Sequence, residues 1–226
     1  MTMQTQDLTA EKMNSGAATS PLDSSSRVPF WGNEASDAEQ QYRAGTYSLL
    51  AALLRNAPEQ ALLDHVTDLA AIKQTNDELL FAMSVLGLAA KDVTPEKISD
   101  EYHALFIGLG RGELVPYGSW YLTGFLMEKP LAVLREDLAQ LGFERNSDTH
   151  EPEDHVAALC EVMAMLINDG QELARQVDFF ETHMAPWFDR FFTDLSAAKS
   201  AVFYRAVGRF GAAFTELERD YLAMKV

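Results

Sequence analysis

A single cysteine, Cys160, excludes an intramolecular disulfide. It also excludes any zinc site or iron–sulfur cluster built from several thiolates of one chain. Its neighbours are apolar and helix-forming, so it reads as a core thiol, free cysteine being among the most buried residue types. Long apolar runs are missing too. The longest, Tyr47 to Leu54, falls far short of the roughly 20 residues needed to span a bilayer. Met1 to Ser15 contains no apolar core of the secretory kind, so the expected location is the cytoplasm. Basic residues are scarce: 18 Lys and Arg stand against 34 Asp and Glu, a net charge of −16. Such a field repels nucleic acid and anionic lipid surfaces. It would attract a basic peptide, or simply keep the protein soluble; composition does not choose between the two.

What the sequence has in quantity is helical patterning. The chain of 226 residues is 47% hydrophobic, enough to bury one substantial core. Residues 1–35 are polar and rich in Ser, Thr, Gln and Asn, and are expected to form a disordered tail, with Val28, Phe30 and Trp31 as apolar exceptions. Residues 36–226 are expected to fold as one compact all-α domain. Ser36-Asp-Ala-Glu39 and Thr75-Asn-Asp-Glu78 have the form of capping boxes, opening helices that end near Arg55 and Ala90. Pro58 precedes another helix, and Thr94-Pro95-Glu96 opens a fourth. Five glycines and prolines crowd residues 107–119, which read as a long shaped loop. A short helix follows, then one from Pro130 to Leu141 closed by Gly142. Residues 143–150 read as a hinge or linker. A helix is expected from about Pro152 to Ile167, with Val156, Leu159, Cys160, Met163, Leu166 and Ile167 on one face. Three more are expected at about 171–183, 186–196 and 199–223.

The densest polar cluster is His150-Glu151-Pro152-Glu153-Asp154-His155. Glu151 and His155 would be neighbours on one helical face, as would Asp154 and Glu161. Between Glu144 and Glu161 six acids face one base, Arg145. One reading is an acidic helix start that complements the helix dipole. The other is a receptor for arginine, which pairs with carboxylates through two charge-assisted bonds. A metal-dependent hydrolase using His150, Glu151, Asp154, His155 and Glu161 is a further alternative, although the spacing fits no zinc motif. Gly108-Leu-Gly-Arg-Gly112 resembles a phosphate cradle but lacks the Gly-Lys-Ser/Thr ending. Pro116-Tyr-Gly-Ser-Trp-Tyr121 sets three aromatics among glycines, to serve either as core or as an apolar wall for a peptide. No catalytic triad is apparent. An adaptor without peptide specificity is the remaining alternative.

Glu151-Pro-Glu-Asp-His155 is similar to the E-P-x-D-H signature of the TorD/DmsD family. Tyr102-x-x-Leu-Phe106, Gly112-Glu113, Pro116-Tyr-Gly-Ser119, Glu161-x-Met163 and His183-Met-Ala-Pro-Trp187 resemble its pattern in the same order, over roughly residues 40 to 220. The resemblance implies an all-helical, non-catalytic chaperone. Its partner would be the apo-form of an oxidoreductase carrying molybdopterin guanine dinucleotide, bound through its twin-arginine signal peptide, its core, or both, until the cofactor is inserted. It implies that Tyr117, Ser119, Pro152, Asp154 and His155, with Glu151 and Glu161, belong to the peptide-binding region. Some members of the family form domain-swapped dimers, for which 143–150 could serve as the hinge. No nucleotide motif or metal site accompanies these features, so no cofactor is expected.

Overall fold

The structure is a computed structural model and describes residues 31–73, 75–108, 111–144 and 151–225. Among them are ten α-helices: α1 (Trp31–Arg55), α2 (Gln60–Thr67), α3 (Glu78–Lys91), α4 (Pro95–Tyr102), α5 (Gly118–Thr123), α6 (Lys129–Gln140), α7 (Val156–Asn168), α8 (Leu173–Phe179), α9 (Phe188–Ala197) and α10 (Phe203–Lys225). Short π-helical turns extend α4 through His103–Ile107 and α8 through Phe180–Met184. The described residues contain no strand, only one isolated bridge. The all-α expectation therefore holds, and no described helix is long and apolar enough to cross a membrane.

The core is organised around α7. Its sequence, Val-Ala-Ala-Leu-Cys-Glu-Val-Met-Ala-Met-Leu-Ile-Asn, is apolar on almost every side, and such a helix must be enclosed. Ala157, Val162 and Ala164 are buried along with the expected face, and Cys160 is fully covered. The most extensive helix pairing is that of α1 on α7, followed by α9 on α10 and α3 on α10. The α9–α10 contact is close because Gly211 has no side chain: a Cβ there would lie 2.1 Å from the Phe192 ring. Across the core, Arg43 of α1 meets Glu218 of α10. The guanidinium Nε donates to Glu218 at 2.8 Å, and Nη1 donates to Gln176 of α8 at 2.8 Å and to Gln40 at 2.7 Å.

Several element starts differ from the sequence pattern for local reasons. α1 is already helical at Trp31, so Ser36 lies within the helix and cannot cap it. At α3 the cap is Asp77, whose carboxylate accepts from the Leu80 N–H at 2.9 Å, while Thr75 Oγ1 accepts from the Asp77 N–H. Thr94 and Pro95 stand where expected, and Gly142 closes α6 at φ +84°. α7 begins at Val156 rather than Pro152, because residues 154–156 are held in extended backbone by another segment. Glu151 and His155 therefore do not share a helical face, nor do Asp154 and Glu161.

The start of α10 is capped from a distance. Glu101 of α4 accepts from the N–H groups of Val202, Phe203 and Tyr204 at 2.8–3.1 Å, and Glu113 accepts from those of Lys199 and Ser200. Glu101→Ala leaves three of these donors without their carboxylate. We expect it to cost about 2 kcal/mol, in the range for hydrogen bonds to a charged group, read as a lower urea midpoint with unchanged helix content.

Candidate functional site

The loop before α5 and the segment before α7 are joined by two backbone hydrogen bonds. Gly118 N–H donates to the Asp154 carbonyl and Val156 N–H donates to the Pro116 carbonyl, both at 2.9 Å. They form an antiparallel bridge centred on Tyr117 and His155. Two sequence segments set apart by more than thirty residues are thus brought into register. Side chains reinforce the bridge: the Tyr117 ring meets the His155 imidazole edge-on, with centroids 5.1 Å apart.

Each candidate residue has a definite place. Asp154 is 3% exposed, and its Oδ2 accepts from the Ser119 N–H at 2.7 Å, so it caps α5 rather than its own helix. Its Oδ1 and the Ser119 Oγ are buried with no hydrogen-bond partner in the structure. His155 is 2% exposed and caps α7, its Nδ1 accepting from the Ala157 N–H at 3.2 Å. That role requires a neutral imidazole with the proton on Nε2. Burial favours that form, lowering the His155 pKa to about 4 despite the pull of Glu151. Pro152 is half-buried in the turn between Glu151 and His155. Glu151 accepts from the Tyr117 hydroxyl at 2.7 Å; burial first, then this bond, raises the Tyr117 pKa.

The acidic cluster is not an unspent receptor. Arg55, in the last turn of α1, donates to both carboxylate oxygens of Glu161 and lies 3.4 Å from Glu151. Glu153 is held by Arg135 of α6 at 2.9 Å. Tyr102 donates to the Arg55 carbonyl at 2.9 Å, closing the end of α1. Sequence reading missed Arg55: its partners lie 96 and 106 positions away, and only its place in a last helical turn marked it. Among the described residues no group of three His, Cys, Asp or Glu side chains is placed to hold a metal ion. His150 of the hydrolase alternative lies outside the described residues, as do residues 145–150 of the expected hinge.

On the far side of the bridge from Arg55 opens a cleft of about 400 Å³. Gly118 and Leu122 of α5, Val133 and Leu134 of α6, Leu159 of α7 and Trp187 line it, with Asp154 in its wall. Trp187 is anchored by its Nε1 donating to the His183 carbonyl at 2.8 Å, and it stacks on Tyr121. Gly118 matters here, since a Cβ would lie 3.2 Å from the Trp187 Nε1. The three aromatics of the loop are half-buried, so they are partly core and partly surface. Beyond the lip of the cleft, Phe125, Leu126 and Met127 are exposed.

Comparison with known proteins agrees with this architecture. The family described as "Nitrate reductase delta subunit" matches residues 65–193. Chaperone protein TorD of Vibrio atlanticus is 27% identical over 210 residues, covering 82% of this chain and 97% of the relative. A Tat proofreading chaperone DmsD of Haemophilus influenzae is 29% identical over 114 residues, half of this chain and 55% of that one. A solved chain from Archaeoglobus fulgidus, described as a redox enzyme maturation protein, superposes with a TM-score of 0.52 at 19% identity, covering 85% of this chain and 98% of its own, and so shares the fold. With the signature segment and the loop before α5 joined in one bridge, the chain belongs to the TorD/DmsD family, whose members are molybdoenzyme-maturation chaperones and not catalysts.

Proposed function

We propose that the protein is a cytoplasmic, system-specific chaperone for the apo-form of an oxidoreductase that carries molybdopterin guanine dinucleotide. It binds the client's twin-arginine signal peptide, its core, or both, and holds the client from export until the cofactor is in place. The observation that carries this reading is the apolar cleft bounded by Leu122, Leu134 and Trp187 beside the Tyr117–His155 bridge, within a chain of net charge −16. A signal peptide offers the matching chemistry: guanidinium groups followed by an apolar stretch.

The peptide-binding region comprises Tyr117, Ser119, Glu151, Pro152, Asp154, His155 and Glu161, in two roles. Tyr117, Glu151, Pro152 and Glu161 reach the surface and would meet the peptide. Ser119, Asp154 and His155 are buried, and their backbone and capping bonds hold the bridge in shape. A homodimer is compatible with the family and is read by light scattering of the purified chain.

The test is mass spectrometry of what co-purifies with the tagged protein from its native cytosol. Recovery of one molybdoenzyme precursor with its signal peptide uncleaved is the expected result; recovery of an unrelated complex would instead make the protein an adaptor. Peptide affinity should also fall as salt rises from low to physiological ionic strength, since the Debye length shortens to about 8 Å.

A further inference from the structure

The outer carboxylates are committed to residues of the chain itself: Glu161 and Glu151 to Arg55, Glu151 also to Tyr117. The carboxylate oxygen without a partner is Asp154 Oδ1, in the cleft wall, and Ser119 Oγ nearby is also unpartnered. Buried polar atoms are nearly always hydrogen-bonded, and two adjacent exceptions call for a donor. We infer that the Asp154 Oδ1–Ser119 Oγ pair is the receptor for one arginine of the bound polypeptide, whose alkyl stem lies against Leu134 and Trp187. This rests on the peptide-binding reading above and says where the arginine goes: inside the cleft, not at the exposed acidic cluster.

The chemistry fits on both ends of the side chain. A guanidinium carries several N–H donors in a rigid plane and can address a carboxylate and a hydroxyl together. Its methylene stem suits apolar walls. A charge-assisted bond in a water-poor cleft is stronger and more selective than one on the surface. Lys129 at the lip is exposed, and His183 in the wall is turned to Asp137 at 2.8 Å, leaving Asp154 the one carboxylate that lines this cleft. Asp154 Oδ1 is covered, so entry requires the α6 wall to move outward. Glycines in left-handed conformation flank that wall, Gly124 at φ +82° and Gly142 at φ +84°.

The experiment measures binding of a synthetic Arg-Arg peptide with a leucine-rich tail to the purified full chain, against the same peptide with citrulline, a neutral isostere, for arginine. Asp154→Asn keeps an acceptor for the Ser119 N–H but turns an amide into the cleft. The wild type is expected to prefer arginine by about tenfold or more, with the preference lost in Asp154→Asn and kept in Glu161→Gln. The opposite pattern, kept in Asp154→Asn and lost in Glu161→Gln, puts the arginine at the outer cluster and overturns the inference while leaving the chaperone reading intact. Equal weakening of both peptides by Asp154→Asn makes the residue purely structural and also overturns it. Should Asp154→Asn not fold, Val133→Trp fills the cleft from its α6 side without touching Asp154. Loss of arginine preference there supports the inference, and its retention refutes it. A wild type that binds neither peptide removes the peptide-binding reading itself, and this inference with it.

Discussion

Replacing Glu218 by Ala is expected to destabilise the fold by about 3–5 kcal/mol, because it strands a buried guanidinium. Arg43 is 4% exposed and Glu218 1% exposed, and they join α1 to α10 through the core. Every side of the guanidinium is engaged: the carboxylate accepts from two of its nitrogens, Gln176 and Gln40 accept from the third, and the Tyr221 ring lies 4.5 Å from its carbon. Removing the carboxylate leaves the desolvation of the cation with far less to offset it. The same physics predicts non-additivity. The Arg43→Met, Glu218→Leu double variant removes both charges and should be much more stable than Glu218→Ala alone. Urea unfolding of the three proteins checks this. A single-variant loss below about 1 kcal/mol would mean that water reaches the site and solvates the cation.

The helical class was readable because it rests on local signals. Thr94-Pro95 starts α4 and Gly142 ends α6 through chemistry confined to a few neighbouring residues. The apolar run of α7 was legible for the same reason, although its burial on nearly all sides depends on helices from both ends of the chain. What was not legible is long-range pairing. Pro152 has every local attribute of a first helical turn, yet the helix waits until Val156, because the backbone at 154–156 bonds to the loop at 116–118. Asp154 looks like an exposed helix-start acid, but its carboxylate is turned inward to cap a different helix. The carboxylates of Glu151 and Glu161 look free until α1 delivers Arg55 to them. In each case the residue type was informative and its partner was not, since nothing in one sequence marks which distant charge will meet it. The signature of the candidate site was found through resemblance; the division of that site into a spent outer cluster and an inner cleft required the fold.

The inward turn of His155 has a consequence for acid stability. Burial lowers its pKa from 6.5 to about 4, so the unfolded chain takes up the proton more readily than the folded one. The contribution of the neutral imidazole is therefore whole above pH 6.5 and declines as the pH falls toward 4. Below that it changes little further. A shift of this size corresponds to ~3 kcal/mol across that window. His183, whose pKa is also lowered by burial, acts in the same direction. His155→Asn isolates the effect, because asparagine can cap α7 in its place yet does not titrate. Denaturant unfolding at intervals between pH 7 and 4 should show the wild type losing about 3 kcal/mol more than the variant. Carboxylate contributions are common to both proteins and cancel in the difference. Parallel pH profiles would mean that His155 keeps an ordinary proton affinity and is reached by water. Protonation also removes the Nδ1 acceptor from the Ala157 N–H, so acid should loosen the start of α7 and the bridge to Tyr117 first. Hydrogen exchange at Val156 and Gly118, whose amides form that bridge, should accelerate in the wild type as the pH falls, after correction for intrinsic rates, and stay level in the variant.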